Sequence, residues 1–194
     1  MAVKFVTVTS KLVPFLLPNI DTDQIIPAQY VNATGSEALA NALFANRRAA
    51  SPDFVLNRPE MQGRSIMLCG PNFGCGSSRE AAAWAIAAGG FRAMIGTTFN
   101  DTFARNCMQN CLPTVRLQQA AFDAIAAAYA ADFELAATID LKANTVSASK
   151  RGLVFPTGID KFSAELMING IDEFAYLLDR ISLIRNFEAR RVTP

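Results

Sequence analysis

The segment Gly70-Pro71-Asn72-Phe73-Gly74-Cys75-Gly76-Ser77-Ser78-Arg79-Glu80 carries the residue types best suited to chemistry. It sets three glycines, a thiol, two hydroxyls and a guanidinium between the apolar run 65–69, which reads as a buried strand, and the alanine-rich run 81–88, which reads as a helix. Glycine lets the backbone pass close to a ligand through angles a side chain forbids. Two readings of the turn stand side by side. In the plainer one Ser77 caps the helix and Glu80 closes a capping box. In the other, the free N–H groups of the helix N-terminus, the two hydroxyls and Arg79 form a seat for a carboxylate or phosphate. The same positive potential lowers the cost of ionising a serine hydroxyl.

Histidine is absent from all 194 residues, which excludes Ser-His-Asp and Cys-His machinery and a His-ligated zinc within this chain. Proton transfer therefore falls to carboxylates, Lys, Tyr, Cys or an activated hydroxyl, or to a partner chain. Cys69, Cys75, Cys107 and Cys111 contain no Cys-x-x-Cys pair. Their spacing suits neither a secreted disulfide framework nor a cluster held by this chain alone, and buried small hydrophobes are their ordinary use. A net charge of +1 with no strongly basic window argues against a nucleic-acid surface, and Arg47-Arg48 and Arg190-Arg191 read as solvated pairs. No apolar stretch has the length of a bilayer crossing, and the start of the chain lacks a charged lead before a long apolar segment. The expectation is a soluble cytoplasmic protein, with no nucleic-acid or membrane partner. A hydrophobic content of 51% suffices for a sizeable core, expected as one domain over residues 1–194.

The elements that must position the turn follow from periodicity. Residues 4–10 alternate as a strand and 13–17 form a second apolar run. Between residues 65 and 117 the order is strand to Cys69, glycine turn, helix 79–88, strand 92–95, helix 99–108 and strand 114–117. Strands alternating with helices across short turns imply a parallel βαβαβ sheet, with ligands beyond the strands' carboxyl ends. That rule places residues 74–79 and 96–101 at one rim. Residues 36–44 read as a short helix, 46–51 as a basic loop, and 120–131 as a helix with Phe122, Ile125 and Tyr129 on its core face. Residues 133–139 and 145–149 read as a hairpin with 153–155 as a third strand. Helices over 160–168 and 171–184 and a charged tail from 186 complete the chain. Asp21-Thr22-Asp23 has the composition of a turn or helix start.

Taken together, Asp21-Thr22-Asp23-Gln24-Ile25-Ile26-Pro27, Pro52-Asp53-Phe54-Val55-Leu56-Asn57, the turn Asn72 to Glu80, and Phe99-Asn100-Asp101-Thr102-Phe103 with Asn106 resemble the small-subunit family of 3-isopropylmalate dehydratase. That family is the separate swivelling β/β/α domain of the aconitase superfamily. The resemblance covers nearly the whole chain. It implies an α/β fold with a mostly parallel central sheet and a C-terminal hairpin plus helices. It implies a hydro-lyase interconverting 2- and 3-isopropylmalate through 2-isopropylmaleate in leucine biosynthesis, active only with a large subunit that carries a [4Fe-4S] cluster. No cofactor is expected on this chain itself. By the same resemblance Ser77 matches the base, an alkoxide that takes a proton from carbon. Ser78 and Arg79, with Gly76 beside them, match the holders of a substrate carboxylate, and Asp23 matches an acid facing the large subunit's site. An arginine of the variable loop, Arg48 or its neighbour Arg47, matches a substrate contact.

The chain departs from the family's pattern at the family's histidines. The usual continuation Ser-Ser-Arg-Glu-His-Ala-Pro-Trp reads here Ser77-Ser78-Arg79-Glu80-Ala81-Ala82-Ala83-Trp84, and a second histidine expected near Leu178-Asp179 is also missing. Ala81 neither donates nor accepts a side-chain hydrogen bond, so whatever that histidine supports is lost or supplied differently. The departure leaves open a paralogous hydratase for another dicarboxylic acid, such as citraconate, dimethylmaleate or homoaconitate. A phosphate-binding module that uses the turn only for recognition, and a subunit kept for assembly, complete the alternatives.

Overall fold

The computed structural model describes residues 4–148 and 152–191. Strand β1 (Thr7–Phe15) is followed by one helical turn, α1 (Thr22–Ile25), and two short helices, α2 (Ser36–Ala42) and α3 (Ala45–Ala50). Next come β2 (Ile66–Cys69), α4 (Glu80–Ala88), β3 (Ala93–Gly96), α5 (Asp101–Gln109), β4 (Thr114–Arg116) and α6 (Gln119–Ala131). A meander of β5 (Ala136–Asp140), β6 (Thr145–Ala148) and β7 (Leu153–Pro156) leads to α7 (Lys161–Asn169), α8 (Glu173–Asp179) and α9 (Ile181–Arg191). The strands form one sheet in the order β4-β3-β2-β1-β5-β6-β7.

The sheet is parallel from β1 to β4 and antiparallel from β1 through β5 and β6 to β7. Burial follows this division. β2 and β3 are buried at every position, as strands covered on both faces must be, whereas β5 and β6 alternate. β1 joins the two halves. Residues Thr7 to Lys11 pair with β5, and Leu12 to Phe15 pair with β2. The polar Ser10-Lys11 therefore marks a change of partner within one strand, where the sequence suggests a gap between two.

Successive residues of β2 point into separate cores. Met67 and Cys69 pack under α4 with Phe15, Phe44 and Phe73, while Ile66 and Leu68 pack under α6 with Phe122 and Ile125. Three elements differ from expectation. Residues 46–51 belong largely to α3 rather than a loop, because Phe44, left-handed at φ 51°, is buried and stacks on Phe15 with centroids 4.6 Å apart. That anchor fixes the start of a helix whose own sequence has no apolar face. The expected helix over 171–184 is two helices that meet at Arg180, whose guanidinium lies over the Tyr176 ring, and the second continues to Arg191. The central helix begins at Glu80, one residue later than expected. The hairpin and its third strand match β5, β6 and β7, with Ser149 outside the described residues.

Candidate active site

The turn after β2 is held from both sides by backbone bonds. The Gly74 and Cys75 amides donate to the Ile20 carbonyl at 2.7 and 3.2 Å, and the Thr22 amide donates to the Cys75 carbonyl at 2.9 Å. On the other side Asn72 N–H donates to Thr98 Oγ1 at 2.7 Å, and the Asn100 amide donates to the Phe73 carbonyl at 3.0 Å. The rim predicted between the carboxyl ends of β2 and β3 is thus one laced structure, joined by the loop after β1.

Two glycines are required by this lacing. Gly74, at φ 78°, lies so close to Phe103 that a Cβ would fall 2.2 Å from the ring's Cγ. Gly76, at φ 87°, rests against α1, where a Cβ would approach Asp21 Cβ to 3.3 Å. Both adopt the left-handed region that L side chains avoid.

The turn delivers Ser77 and Ser78 to the surface, both exposed, immediately before α4. Ser77 does not cap that helix. Arg79 stands at the N-cap and makes no side-chain bond to the helix N-terminus, so the capping box with Glu80 is absent and the first-turn N–H groups lack a side-chain partner from the cap. Instead the Ser77 carbonyl accepts a 2.9 Å bond from the hydroxyl of Thr22, a residue only 1% exposed. Thr22 is a positioning group that sequence reasoning left inside a motif without a role. A threonine between two acids at a helix start was its only signal.

The two acids of that motif divide their work. Asp21 is the N-cap of α1 and accepts from the Gln24 amide at 2.7 Å. Asp23, one turn-position outward and about half exposed, pairs with the Arg79 guanidinium. The adjacent arginines also separate. Arg47 donates through Nε to Gln24 Oε1 at 3.0 Å, and its Nη2 contacts the same oxygen. Arg48 donates to Asn57 Oδ1 at 3.2 Å and receives the Asn57 amide on its carbonyl at 2.8 Å. The structure therefore brings Gly76, Ser77 and Arg79 against α1, which carries Asp23, with Ser78 exposed between them in the chain. It brings Arg47 to the same helical turn and sends Arg48 toward residues 51–57.

The thiols are dispersed. Cys69 and Cys107 are fully buried beneath α4, and burial pushes both thiols well above their ordinary range, Cys69 further raised by the charge of Cys107. Cys111 belongs to the opposite core and Cys75 sits partly exposed in the turn. Among the described residues no three His, Cys, Asp or Glu side chains are grouped to hold a metal ion, and no helix is long and apolar enough to cross a membrane. The arrangement offers an exposed hydroxyl two residues ahead of Arg79, the N-cap of a nine-residue helix, and the positive end of such a helix is a setting for an oxyanion.

Residues 2–120 match the profile of the aconitase C-terminal domain. A protein of Roseiflexus sp. (strain RS-1) named 3-isopropylmalate dehydratase small subunit is 41% identical over 190 residues, spanning 95% of this chain and 92% of its own. A protein of the same name from Chloroflexus aurantiacus is 42% identical over 194 residues, spanning 97% and 96%. The solved structure of a 3-isopropylmalate dehydratase from Methanocaldococcus jannaschii shares the fold, with a TM-score of 0.65 at 23% identity over 94% of this chain and 99% of that one.

Proposed function

From a chain that belongs to the aconitase C-terminal domain family, we infer the work of a small subunit of 3-isopropylmalate dehydratase, a hydro-lyase of leucine biosynthesis that acts with a large subunit. Full-length similarity to small subunits of that name supports this reading, and the exposed Ser77 at the N-terminus of α4 beside Arg79 carries its chemistry.

The chain acts as one aconitase-type domain and supplies protein groups to a site completed by the large subunit. That subunit carries a [4Fe-4S] cluster, which supplies a Lewis acid for the substrate's hydroxyl and carboxylate. Ser77 Oγ takes the proton from the substrate carbon as the hydroxyl departs on the partner's side, leaving the double bond of 2-isopropylmaleate. In the second half Ser77 returns that proton to one carbon while hydroxide, the group lost in the first half, adds at its neighbour, so that the elements of water only change places. The α4 N-terminus and Arg79 favour the ionised hydroxyl that this role needs. Ser78 and Arg79 hold a carboxylate, Gly76 keeps the backbone low beside them, and Asp23 faces the partner's site.

The test is reconstitution. The isolated chain is expected to turn over nothing, and mixing it with an iron–sulfur large subunit is expected to give hydration of 2-isopropylmaleate. A panel including citraconate, dimethylmaleate and homoaconitate fixes the substrate. An assembled complex that is active on one of those acids and inactive on isopropylmalate overturns the substrate assignment. A complex that acts on none of them overturns the catalytic reading.

A further inference from the structure

We propose that Gln24 is a positioning residue for substrate recognition, holding Arg47 at the rim as a second carboxylate anchor beside Arg79. The inference rests on the dicarboxylate reading above and adds to it a residue that the resemblance leaves without a role.

The side-chain amide of Gln24 is fixed at both ends. Its Nε2 donates to Asp21 Oδ2 at 3.1 Å and faces the Asn19 carbonyl at 3.4 Å, so its oxygen must point the other way. That oxygen accepts from both Nε and Nη2 of Arg47. One edge of the guanidinium is thereby committed to the protein, and the Nη1 amino group has no partner among the described residues. An arginine held along one edge is pre-organised to meet a carboxylate with the rest of its fork.

Location gives the contact its meaning. Gln24 and Asp23 are consecutive residues of α1, and each grips one arginine, Arg47 from α3 and Arg79 from the start of α4. The same helical turn is bonded to the serine turn through the Thr22 hydroxyl and amide. Two guanidiniums held by side chains of one helical turn suit a substrate with two carboxylates. Arg48 is turned instead toward Asn57, which accepts from its Nε and donates to its carbonyl.

The experiment compares wild type, Gln24→Leu, Gln24→Glu and the double variant Asp21→Asn/Gln24→Glu in complexes reconstituted with the iron–sulfur large subunit. Gln24→Leu removes both ends of the relay, and KM is expected to rise about tenfold to a hundredfold with kcat within about threefold, the signature of lost uniform binding. Gln24→Glu sets a carboxylate against Asp21 and is also expected to raise KM. In the double variant the amide and carboxylate exchange places, the helix cap survives, and KM is expected to return to near the wild-type value. A KM unchanged in Gln24→Leu overturns the proposal, as does a parallel fall in kcat and assembly that the double variant fails to rescue. Hydrogen exchange of the Arg47 Nε–H in the isolated chain gives a readout independent of turnover, expected to accelerate in Gln24→Leu and to stay slow in the double variant. An inactive wild-type complex would sink the functional reading alone. Equal exchange in wild type and Gln24→Leu would sink the positioning role alone.

Discussion

The Arg79 guanidinium is paired with the Asp23 carboxylate, so two charges that the proposed function gives separate roles neutralise each other in the chain on its own. A substrate carboxylate reaching Arg79 must compete with a carboxylate already in place. The Asp23 side chain is 52% exposed, and a pair so open to water adds only about 0–1 kcal/mol to stability. Asp23→Asn is therefore expected to leave the urea midpoint of the isolated chain nearly unchanged. Arg79→Lys keeps the charge but loses the planar fork, and kcat/KM of the complex is expected to fall about a hundredfold in steady-state assays.

Ser77 separates chemistry from architecture, because its side chain is exposed and its structural bond is made by its carbonyl. Ser77→Ala is expected to lower kcat by about a thousandfold, within the usual range for a lost base, while changing stability by less than about 0.5 kcal/mol. Calorimetry of the chain and gel filtration of the complex check the second half of that expectation.

Gly74→Ala should fail for a different reason. The new methyl would collide with the Phe103 ring in a backbone conformation that already disfavours a side chain. Overpacking and the left-handed angle together predict a loss of about 2–5 kcal/mol, read from urea unfolding, and loosening of the whole serine turn. Gly152→Ala, where a Cβ meets nothing within 4 Å, is the control that carries the angle alone.

The buried thiols make stability depend on alkaline pH. Burial raises Cys69 and Cys107 above the ordinary value of 9.0 in the folded chain only. Below that value both states keep the protons and the effect is flat. Above it the unfolded chain ionises first, so stability falls by up to about 1.4 kcal/mol per pH unit for each thiol until the folded values are reached. Urea midpoints under reducing conditions from pH 7 to 10 test this. Native alkylation should modify Cys75 well before the two buried thiols.

The strand, glycine turn and helix around Ser77 are legible because a short, fully apolar strand and clustered glycines leave few other structures open to residues 66–80. The parallel order of β2 to β4 follows from the same alternation of strands and helices. What stays hidden is decided by distant partners. α3 depends on Phe44 stacking against Phe15, twenty-nine residues back, and no local propensity announces it. The break at Arg180 has no glycine or proline to signal it. Asp21 and Asp23 have the same composition yet opposite uses, one capping α1 and one meeting Arg79. Arg47 and Arg48 differ only in which way a helix turns them. Ser77 looks like a cap because the motif fits, and only the observed start of α4 at Glu80 shows that the hydroxyl has no such duty.

β1 lies at the middle of the sheet but near the beginning of the chain, and its partners arrive late: Leu12 is matched to Ile66, and Thr7 to Asp140. During synthesis its antiparallel edge must wait until β5 has been made. The Thr7–Lys11 half of β1 therefore stays without its antiparallel neighbour until residues 136–140 have been made, although its other half can already pair with β2.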